Sequence, residues 1–387
     1  RKESSAASDV YKRQPQTTLA GAEPRAVGDA LLRDGARLAR DGEEVVVTGN
    51  ALAREVAENP EQFSSGVSRF LQLPNGLDGE KHTEMRALID RYLTAEEVGQ
   101  LDPMFRKIAR ELAEKAVSAG EVDAVGDLGA QYAVRAMTAW LGWPSELNDT
   151  LVEWVADNNA ATRSGELERT AAVAERFDDI IRSVVEPLQD NPDDSVTSRL
   201  VHDDSLGRRL EFEEIVSVLR NWTAGDLSSM AYCIGVVLDA LIRHPELQDR
   251  LAGGVSQKEF TAIADEILRA DSPFVSNRRV TTCPVSLGGH DLPEGQRVRI
   301  HWTAANRDPD VFADADGFEP DTHADDNLVW GAGPHACPGK ALSIVELQAF
   351  FEELLAAAEV TSAGEGEREV HPVGGWASLP VRLTARG

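Results

Sequence analysis

A single cysteine near the carboxyl end, Cys337, stands in a segment whose composition suits metal binding. Residues 330–339 (WGAGPHACPG) combine an aromatic side chain, glycine turns, a thiol and a proline. Apolar residues then recur at helical spacing, and Pro338 suits the first turn of that helix, where its missing N–H costs nothing. Free backbone N–H groups and the positive helix end meet at Cys337, and both favour a thiolate. One protein sulfur without a CxxC partner indicates an axial metal ligand.

The segments that must position this cysteine are mostly helical. Helical periodicity dominates residues 82–190, residues 211–244 form the longest helix candidate, and another helix covers 260–270. Residues 279–301 alternate and turn like a small sheet, and 369–383 form a second strand-like pair. The pattern predicts a mainly α fold, one large helical domain with a small β-rich region.

The start of the chain is treated separately. Residues 1–14 lack a starting methionine, and we expect them to be a non-native or disordered extension, excluded from the fold. Residues 15–387 are then expected to form a single domain, since no low-complexity linker divides them.

Composition limits the possible partners and the compartment. The formal net charge is −27, from 39 basic and 66 acidic residues, which argues against nucleic acid and anionic membrane surfaces. No apolar run is long enough to cross a bilayer without interruption. Three cysteines make a disulfide framework improbable, so a reducing, cytoplasmic setting is expected.

Several motifs occur in an order typical of one family. They are an ExxR pair at Glu266 and Arg269, ANRDP at 305–309 and the aromatic-GxGxHxCxG segment at 330–339. Upstream, 82–86 is similar to an HTxxR segment and 224–228 to an AGxxT segment. In this order the motifs resemble the cytochrome P-450 superfamily of haem-thiolate enzymes, over about Val45 to Leu383.

The resemblance implies haem b as cofactor and dioxygen as co-substrate. Cys337 would be the metal ligand, and its thiolate would push electron density onto the iron. Trp330 stands where the family most often has phenylalanine and would pack beside the sulfur. Guanidinium groups bind carboxylates well, and the family's propionate-contact positions fall on four residues. These are His82, Arg86, Arg279 and His335.

The resemblance also implies a proton relay in the long helix. The family places an acid and then a threonine there, and by the AGxxT match these positions hold Leu227 and Ser228. Ser228 keeps a hydroxyl and Asp226 lies nearby, so we predict that both are catalytic and deliver protons through water. Alternatively, Asp226 is a solvated or capping acid and the relay is built differently.

The ExxR pair implies a buried ion-pair network near the cysteine loop. In the family a basic residue from a later irregular segment usually completes it, and here that position holds Gly317. Arg307 and His323 are the alternatives.

These features predict a monomeric haem-thiolate monooxygenase that hydroxylates or O-dealkylates a small, largely apolar organic substrate. Electrons would come from a separate ferredoxin or flavodoxin and its reductase, because no dinucleotide-binding or iron–sulfur motif is present. Substrate contacts are expected at 70–77, 219–223, 274–276 and Trp376. The alternatives are a peroxide-dependent hydroxylase, a non-redox rearrangement enzyme, and a non-catalytic haem-binding sensor.

Overall fold

The structure is a computed structural model that describes residues 14–386. The predicted extension over residues 1–14 therefore lies outside the described residues, apart from Gln14. The helices are α1 (Pro24–Arg33), α2 (Asn50–Glu58), α3 (Gly79–Asp90), α4 (Ala95–Gly99), α5 (Asp102–Ala119), α6 (Gln131–Leu141), α7 (Asn148–Ser164), α8 (Leu167–Asp190), α9 (Val196–Val201), α10 (Phe212–Arg243), α11 (Pro245–Ala252), α12 (Gln257–Ala270), α13 (Trp302–Ala305), α14 (Pro320–His323) and α15 (Lys340–Ala357).

Short strands occupy the rest of the regular structure, and a π-helical stretch, Ala124–Ala130, leads into α6. The strands are β1 (Leu38–Asp41), β2 (Glu44–Val47), β3 (Phe63–Ser64), β4 (Glu121–Asp123), β5 (Ser276–Thr281), β6 (Val285–Leu287), β7 (His290–Leu292), β8 (Arg297–His301), β9 (Ala358–Ser362), β10 (Glu367–Arg368), β11 (Trp376–Ser378) and β12 (Pro380–Ala385). The predicted mainly α fold with a small β-rich region is confirmed.

Helix α10 is the longest element and lies in the core. It begins after Glu211, which forms a capping box with Glu214, and it ends before Pro245, which cannot continue a helix. By length and composition alone it could span a membrane, but 72% of its most apolar window is buried inside the protein. It is therefore the core helix on which the other elements pack.

Helix α15 packs beside α10 and carries the site's second wall. It is apolar around most of its circumference, as expected for a helix buried on all sides. The hydroxyl of Tyr132, on α6, donates to the backbone oxygen of Glu346 at 2.9 Å and so joins α6 to α15. Because α15 begins just after Cys337, its position fixes the cysteine relative to α10.

A five-stranded sheet with strand order β1-β2-β8-β5-β3 holds the polar end of the site. Strands β2 and β8 pair in parallel, while β5 pairs antiparallel to β8, with Arg279 opposite Val298. Side chains alternate across a strand, so Arg279 and Asn277 project from the same face of β5. That face borders the cavity described below.

The ExxR pair is buried at the junction of α12 and the irregular segment that follows α13. Arg269 is fully buried and binds Glu266 through two hydrogen bonds of 2.8 and 2.9 Å. Its remaining N–H groups donate to backbone oxygens, including that of Gly317 at 3.1 Å. The position that resembles the family's basic residue thus contributes a carbonyl. Arg307 pairs with Asp29 and does not complete the network.

Candidate functional site

The loop before α15 holds Cys337 in a fixed turn. The Cys337 N–H donates to the backbone oxygen of Trp330 at 2.8 Å. Gly331 and Gly333 have φ angles of 72° and 68°, which favour glycine. At Gly333 an added Cβ would lie 2.5 Å from the backbone oxygen of Ala57, so only glycine allows the loop to approach α2 this closely.

Two opposing influences act on the Cys337 thiol. Burial raises its pKa above the ordinary value, while the backbone N–H groups of Gly339 and Lys340 and the charge of Arg86 lower it. Burial is the larger effect, so the turn by itself favours the thiol, contrary to the thiolate expected from the helix end alone. A bound cation reverses this balance, because a coordinating thiol is deprotonated outright. The amide groups are then already placed to stabilise the sulfur's charge.

Two adjoining cavities, of about 270 and about 230 Å³, open onto Cys337. Seven residues line both, which makes them one continuous space between α10, α15, β5 and the cysteine loop. The shared residues are Gly225, Asp226, Asn277, Arg279, His335, Cys337 and Ser343. A Cβ added at Gly225 would meet nothing within 4 Å, so glycine keeps the α10 wall open at this point.

Arg279 brings a buried positive charge to one end of the cavity. It is 7% exposed, and burial lowers its pKa below the ordinary value. Its one hydrogen bond goes to the backbone oxygen of Arg278, and among residues 14–386 no carboxylate lies within ion-pair distance of it. A buried charge normally has a partner, so the site is built to receive an anion at this guanidinium.

Of two neighbouring histidines, His335 lines this end of the cavity and His82 packs against it. The rings of His82 and His335 lie 4.1 Å apart, and Nε2 of His335 is 3.3 Å from a carboxylate oxygen of Asp78. Burial lowers the pKa of His335 to about 4, so the ring is neutral at pH 7. The Nε2 atom of His82 is buried without a hydrogen-bond partner in the described chain. His82 can therefore donate a hydrogen bond to an incoming anion, whereas neutral His335 can do so only if its single N–H leaves Asp78.

Two other predicted cofactor contacts differ in their relation to the cavities. Arg86 lines neither cavity; it donates to the backbone oxygens of Pro334 and Ala336 at 3.0 and 2.8 Å and so supports the cysteine loop from outside. Trp330 lines the smaller cavity, and its indole N–H donates to Asp265 at 2.6 Å, away from the sulfur.

Asp226 and Ser228, which were predicted to deliver protons together through water, lie on different faces of α10. Residues two apart on an α-helix point about 200° away from each other. Asp226 accordingly faces the cavity, whereas the Ser228 hydroxyl donates to the amide oxygen of Asn159, on α7, at 2.8 Å. Ser229, three residues after Asp226, lines the smaller cavity and is the hydroxyl that shares its face.

Sequence reasoning missed two residues of this site. Ser229 could have been found from the i, i+3 and i+7 spacing of Asp226, Ser229 and Cys233, which all line the smaller cavity. Glu346 is fully buried on α15 opposite Asp226. Its signal is a lone acid within the apolar run from Ile344 to Phe351.

The residues present fit the haem that the sequence resemblance implies. The Cys337 thiol lies on one wall, and the buried Arg279 guanidinium, which has no anionic partner, lies at one end near two histidines. Thiolate is a known ligand of haem iron, and a guanidinium suits a propionate carboxylate. Cys337, Arg279 and His335 would contact the haem directly. His82 would support them from behind His335.

Comparison with known proteins gives an independent result. The cytochrome P-450 family model matches residues 260–379. The cyclomarin C epoxidase of Salinispora arenicola is 30% identical over 312 residues, which cover 76% of this chain and 78% of that enzyme. The vitamin D(3) 25-hydroxylase of Pseudonocardia autotrophica is 28% identical over 320 residues, 80% of this chain and 77% of that enzyme.

Solved structures agree on the fold. The open form of cytochrome P-450 EryK from S. erythraea superposes with a TM-score of 0.84 at 24% identity, covering 93% of this chain and 96% of that one. A cytochrome P-450 from Bacillus megaterium in complex with testosterone gives 0.83 at 23% identity, covering 93% and 97%. At this identity the likeness concerns the architecture alone.

Proposed function

The chain belongs to the cytochrome P-450 family of haem-thiolate enzymes, and we propose that it inserts one oxygen atom of dioxygen into a small organic molecule. Enzymes of this family bind haem through a cysteine thiolate and use dioxygen as co-substrate. The single observation that carries the proposal is the continuous cavity with Cys337 on one wall and Arg279 at one end.

Cys337 is the proposed ligand. Cys233 also lines the smaller cavity, but burial raises its pKa far above the ordinary value and no backbone N–H group favours its thiolate. Cys337 has amide groups directed at its sulfur. When bound, the haem supplies oxygen activation, which the thiolate's electron donation favours.

Arg279, His335 and His82 are proposed to hold the propionate groups, and Arg86 to act indirectly through the cysteine loop. Arg279 can offer a planar fork of N–H donors, of which one is used within the protein. The support of Arg86 for two loop carbonyls restrains the turn that carries Cys337. Trp330 is proposed to pack against the cofactor from the cavity wall.

We assign to Ser229 the role in proton delivery that the motif match had given to Ser228. Its hydroxyl faces the cavity and has no hydrogen-bond partner among the described residues, so it is free to bind water or dioxygen. Asp226, one turn earlier, is the acid on the same wall. Ser228 instead holds α10 against α7 through Asn159.

The proposed substrate is largely apolar and carries at least one hydrogen-bond acceptor. A third cavity, of about 260 Å³, adjoins Ser229 and combines Phe274 and Trp302 with Asn159 and Asn277. The two amide oxygens accept from Ser228 and Trp302, which leaves both amide N–H₂ groups for a substrate oxygen. This wall is more polar than the apolar pocket expected from the sequence.

Some of the other predicted substrate contacts line the wall of the larger cavity, and others lie outside the cavities. Residues from 70–77 and 219–223 reach the larger cavity through Pro74, Asn75, Asn221 and Trp222. Phe70 and Leu71 are 60% and 44% exposed and line none of the cavities described here, and neither does Trp376, which stacks with Arg368.

Electrons are proposed to come from a separate redox protein that docks over the groove between α3 and α15, next to Pro338. This groove of about 550 Å³ includes Arg86 and Lys340, which pair with Asp90 and Asp265. With these charges neutralised and a net charge of −27, long-range attraction of an acidic ferredoxin is weak. Shape and local contacts then decide which donor fits.

Turnover with redox partners tests the proposal. The haem-loaded protein is given a ferredoxin and its reductase, and candidate substrates are first selected by the shift they cause in the haem spectrum. We expect a product with one added oxygen atom, derived from ¹⁸O-labelled dioxygen. A product labelled from water, or spectral binding of many substrates with no oxygenated product from any, would contradict it.

A peroxide-dependent hydroxylase is the second candidate. It is favoured by the absence of an acid at Leu227, the position where the family places one. That enzyme would form the same product from hydrogen peroxide without any electron donor. A strict requirement for the ferredoxin system would exclude it.

A further inference from the structure

Three arginines share one face of the five-stranded sheet. Arg278 on β5 lies directly opposite Arg299 on β8, and Arg297 precedes Arg299 by two residues. Side chains alternate across a strand, so all three project from the face opposite to that of Arg279. The three guanidinium groups therefore form a cluster on the side of the sheet that does not border the haem cavity.

One carboxylate serves the whole cluster. Glu44 on β2 accepts two hydrogen bonds from Arg299, one of them from Nε at 2.9 Å. Nitrogens of Arg278 and Arg297 lie 3.7 and 3.9 Å from its other oxygen, which is too far for a hydrogen bond. Among residues 14–386, no other carboxylate lies within ion-pair distance of the three arginines.

The cluster carries an excess of positive charge. Three guanidinium charges face one carboxylate charge, which leaves two positive charges unbalanced. His371 accepts a hydrogen bond from Arg299 at 3.2 Å and is neutral at pH 7, since its pKa is lowered to about 4. The first thirteen residues have four basic and two acidic side chains, so their composition provides no net negative charge. This excess stands out on a chain with a formal net charge of −27.

The excess is unfavourable in the protein alone. Like charges directly opposite each other on neighbouring strands are destabilising, and Arg278 and Arg299 are such a pair. Burial, followed by the charges of Arg299 and Arg297, holds the pKa of Arg278 below its ordinary value. An anion bound between these guanidinium groups would remove the repulsion.

Two of the three guanidinium groups are open to a ligand. The side chains of Arg278 and Arg297 are 51% and 61% exposed, and neither guanidinium makes a hydrogen bond within the described chain. Both approach the same oxygen of Glu44, so one tetrahedral anion can contact both. Arg299 is 7% exposed and held by Glu44 and His371, which fixes the position of the third charge.

We propose that Arg278, Arg297 and Arg299 bind a phosphate group carried as a monoester. A phosphate monoester loses its second proton near pH 6, so at pH 7 it has close to two negative charges and matches the excess. Its three free oxygens can accept from both exposed guanidinium forks, whereas a carboxylate offers one charge and two oxygens. A soluble metabolite and a lipid headgroup can both carry this group.

The site is separate from the haem cavity and does not depend on the proposed monooxygenase function. Arg279, which follows Arg278 on β5, projects to the other face and lines the cavity. Its guanidinium contacts only the backbone oxygen of Arg278, at 2.8 Å. One strand thus presents a cation to the haem on one face and a cation to the phosphate ester on the other.

Isothermal titration calorimetry of the haem-loaded protein tests the site, with glycerol phosphate as probe and glycerate as its carboxylate counterpart. The buffer contains neither phosphate nor sulfate and has low ionic strength, because salt screens exposed charges. Flotation with phosphatidylcholine vesicles, with and without phosphatidic acid, tests the lipid source. The variants are Arg278→Gln, Arg297→Gln, their combination and Glu44→Gln. The control is Arg382→Gln, at an exposed position in another sheet.

Wild type should bind glycerol phosphate at least about threefold more tightly than glycerate, because the probe has twice the charge. Arg278→Gln and Arg297→Gln should each weaken binding about three- to tenfold, and their combination more than about tenfold. Glu44→Gln should tighten binding about threefold or more, because the competing carboxylate is lost. Arg382→Gln should stay within about twofold of wild type. Every variant should keep its haem, since all the substitutions lie away from the cavity.

The two arms distinguish the sources of the phosphate group. Binding of glycerol phosphate indicates a soluble ester, and retention on phosphatidic acid vesicles alone, abolished by the same substitutions, indicates a lipid headgroup. Three results would overturn the inference: a wild type that binds neither probe, a combined arginine variant that binds as wild type does, or weaker binding in Glu44→Gln. Failure of wild type to oxygenate any substrate would count against the proposed function instead.

Discussion

The Nδ1 atom of His323 lies 2.7 Å from the carboxylate oxygen Oε1 of Glu266. Both side chains are buried, and Glu266 also accepts from Arg269 and from the backbone N–H of Glu319. These hydrogen bonds outweigh burial and hold the pKa of Glu266 below its ordinary value. His323, one of the two alternatives considered from the sequence, therefore completes the network at which Gly317 offers no side chain.

Replacing His323 with alanine should lower the free energy of unfolding by about 1–3 kcal/mol, because a buried carboxylate loses a donor. His323→Gln can still donate and should recover part of the loss. The measurement is urea unfolding of the haem-loaded protein, followed by tryptophan fluorescence. His244→Ala, which removes an exposed pair with Glu246, serves as control and should change stability by less than about 0.5 kcal/mol. Equal effects at both histidines would show that the network is not stabilising.

Removing the guanidinium of Arg279 should weaken haem retention. Charge-assisted hydrogen bonds contribute about 1.5–3 kcal/mol, so Arg279→Gln should lose haem to a scavenger protein about 10 to 100 times faster. Arg279→Lys keeps the charge without the planar fork and should lie between. Arg297→Gln, at an exposed position on the neighbouring strand, is the matched control. Unchanged haem loss in Arg279→Gln would refute its role at the propionates.

Substituting the two neighbouring serines should give different results. Ser229→Ala removes a hydroxyl from the cavity wall and should divert several-fold more electrons into hydrogen peroxide. Ser228→Ala removes the bond to Asn159 on the wall of the third cavity and should change coupling less than Ser229→Ala does. Peroxide formed per NAD(P)H consumed measures both. Greater uncoupling in Ser228→Ala than in Ser229→Ala would restore the assignment made from the sequence.

His371 should make the fold sensitive to acid. Burial and the charge of Arg299 lower its pKa to about 4, and its Nε2 lies 3.2 Å from the Arg299 guanidinium. The unfolded chain binds this proton at a pH near 6.5 and the folded chain only near 4, so stability falls as the pH drops through that window. His371→Gln, which can still accept from Arg299, should remove about 1–3 kcal/mol of that loss. Unfolding curves at pH 7 and pH 4.5 test this, and an unchanged difference between them would contradict it.

Local features of the site could be predicted from the sequence, but which side chains face the cavity could not. The turn that presents Cys337 is encoded by Gly331, Gly333 and a proline, so ten residues suffice to recognise it. Arg279 was assigned from the family resemblance, and it lines the cavity beside Cys337. Ser228 was chosen by its place in a motif, whereas the helical angle from Asp226 decides that Ser229 reaches the cavity.

Contacts between distant segments account for the rest. Arg86 matches a motif, yet its donors are taken by the carbonyls of Pro334 and Ala336, which lie some 250 residues later. Glu346 lies near Asp226 only because α15 packs on α10. Local composition marks Glu346 as a lone acid in an apolar run but does not identify either partner, because each pairing depends on how the helices pack.

The absorption spectrum of the reduced, carbon monoxide-bound protein tests the central claim most directly, with wild type and Cys337→Ala compared at equal haem content. Cys233→Ala is the control, because that sulfur also borders the smaller cavity. We expect wild type and Cys233→Ala to show the red-shifted band of thiolate ligation and Cys337→Ala to lack it. A wild-type spectrum without that band, or a Cys337→Ala spectrum that retains it, would contradict the assignment of Cys337 as the haem ligand.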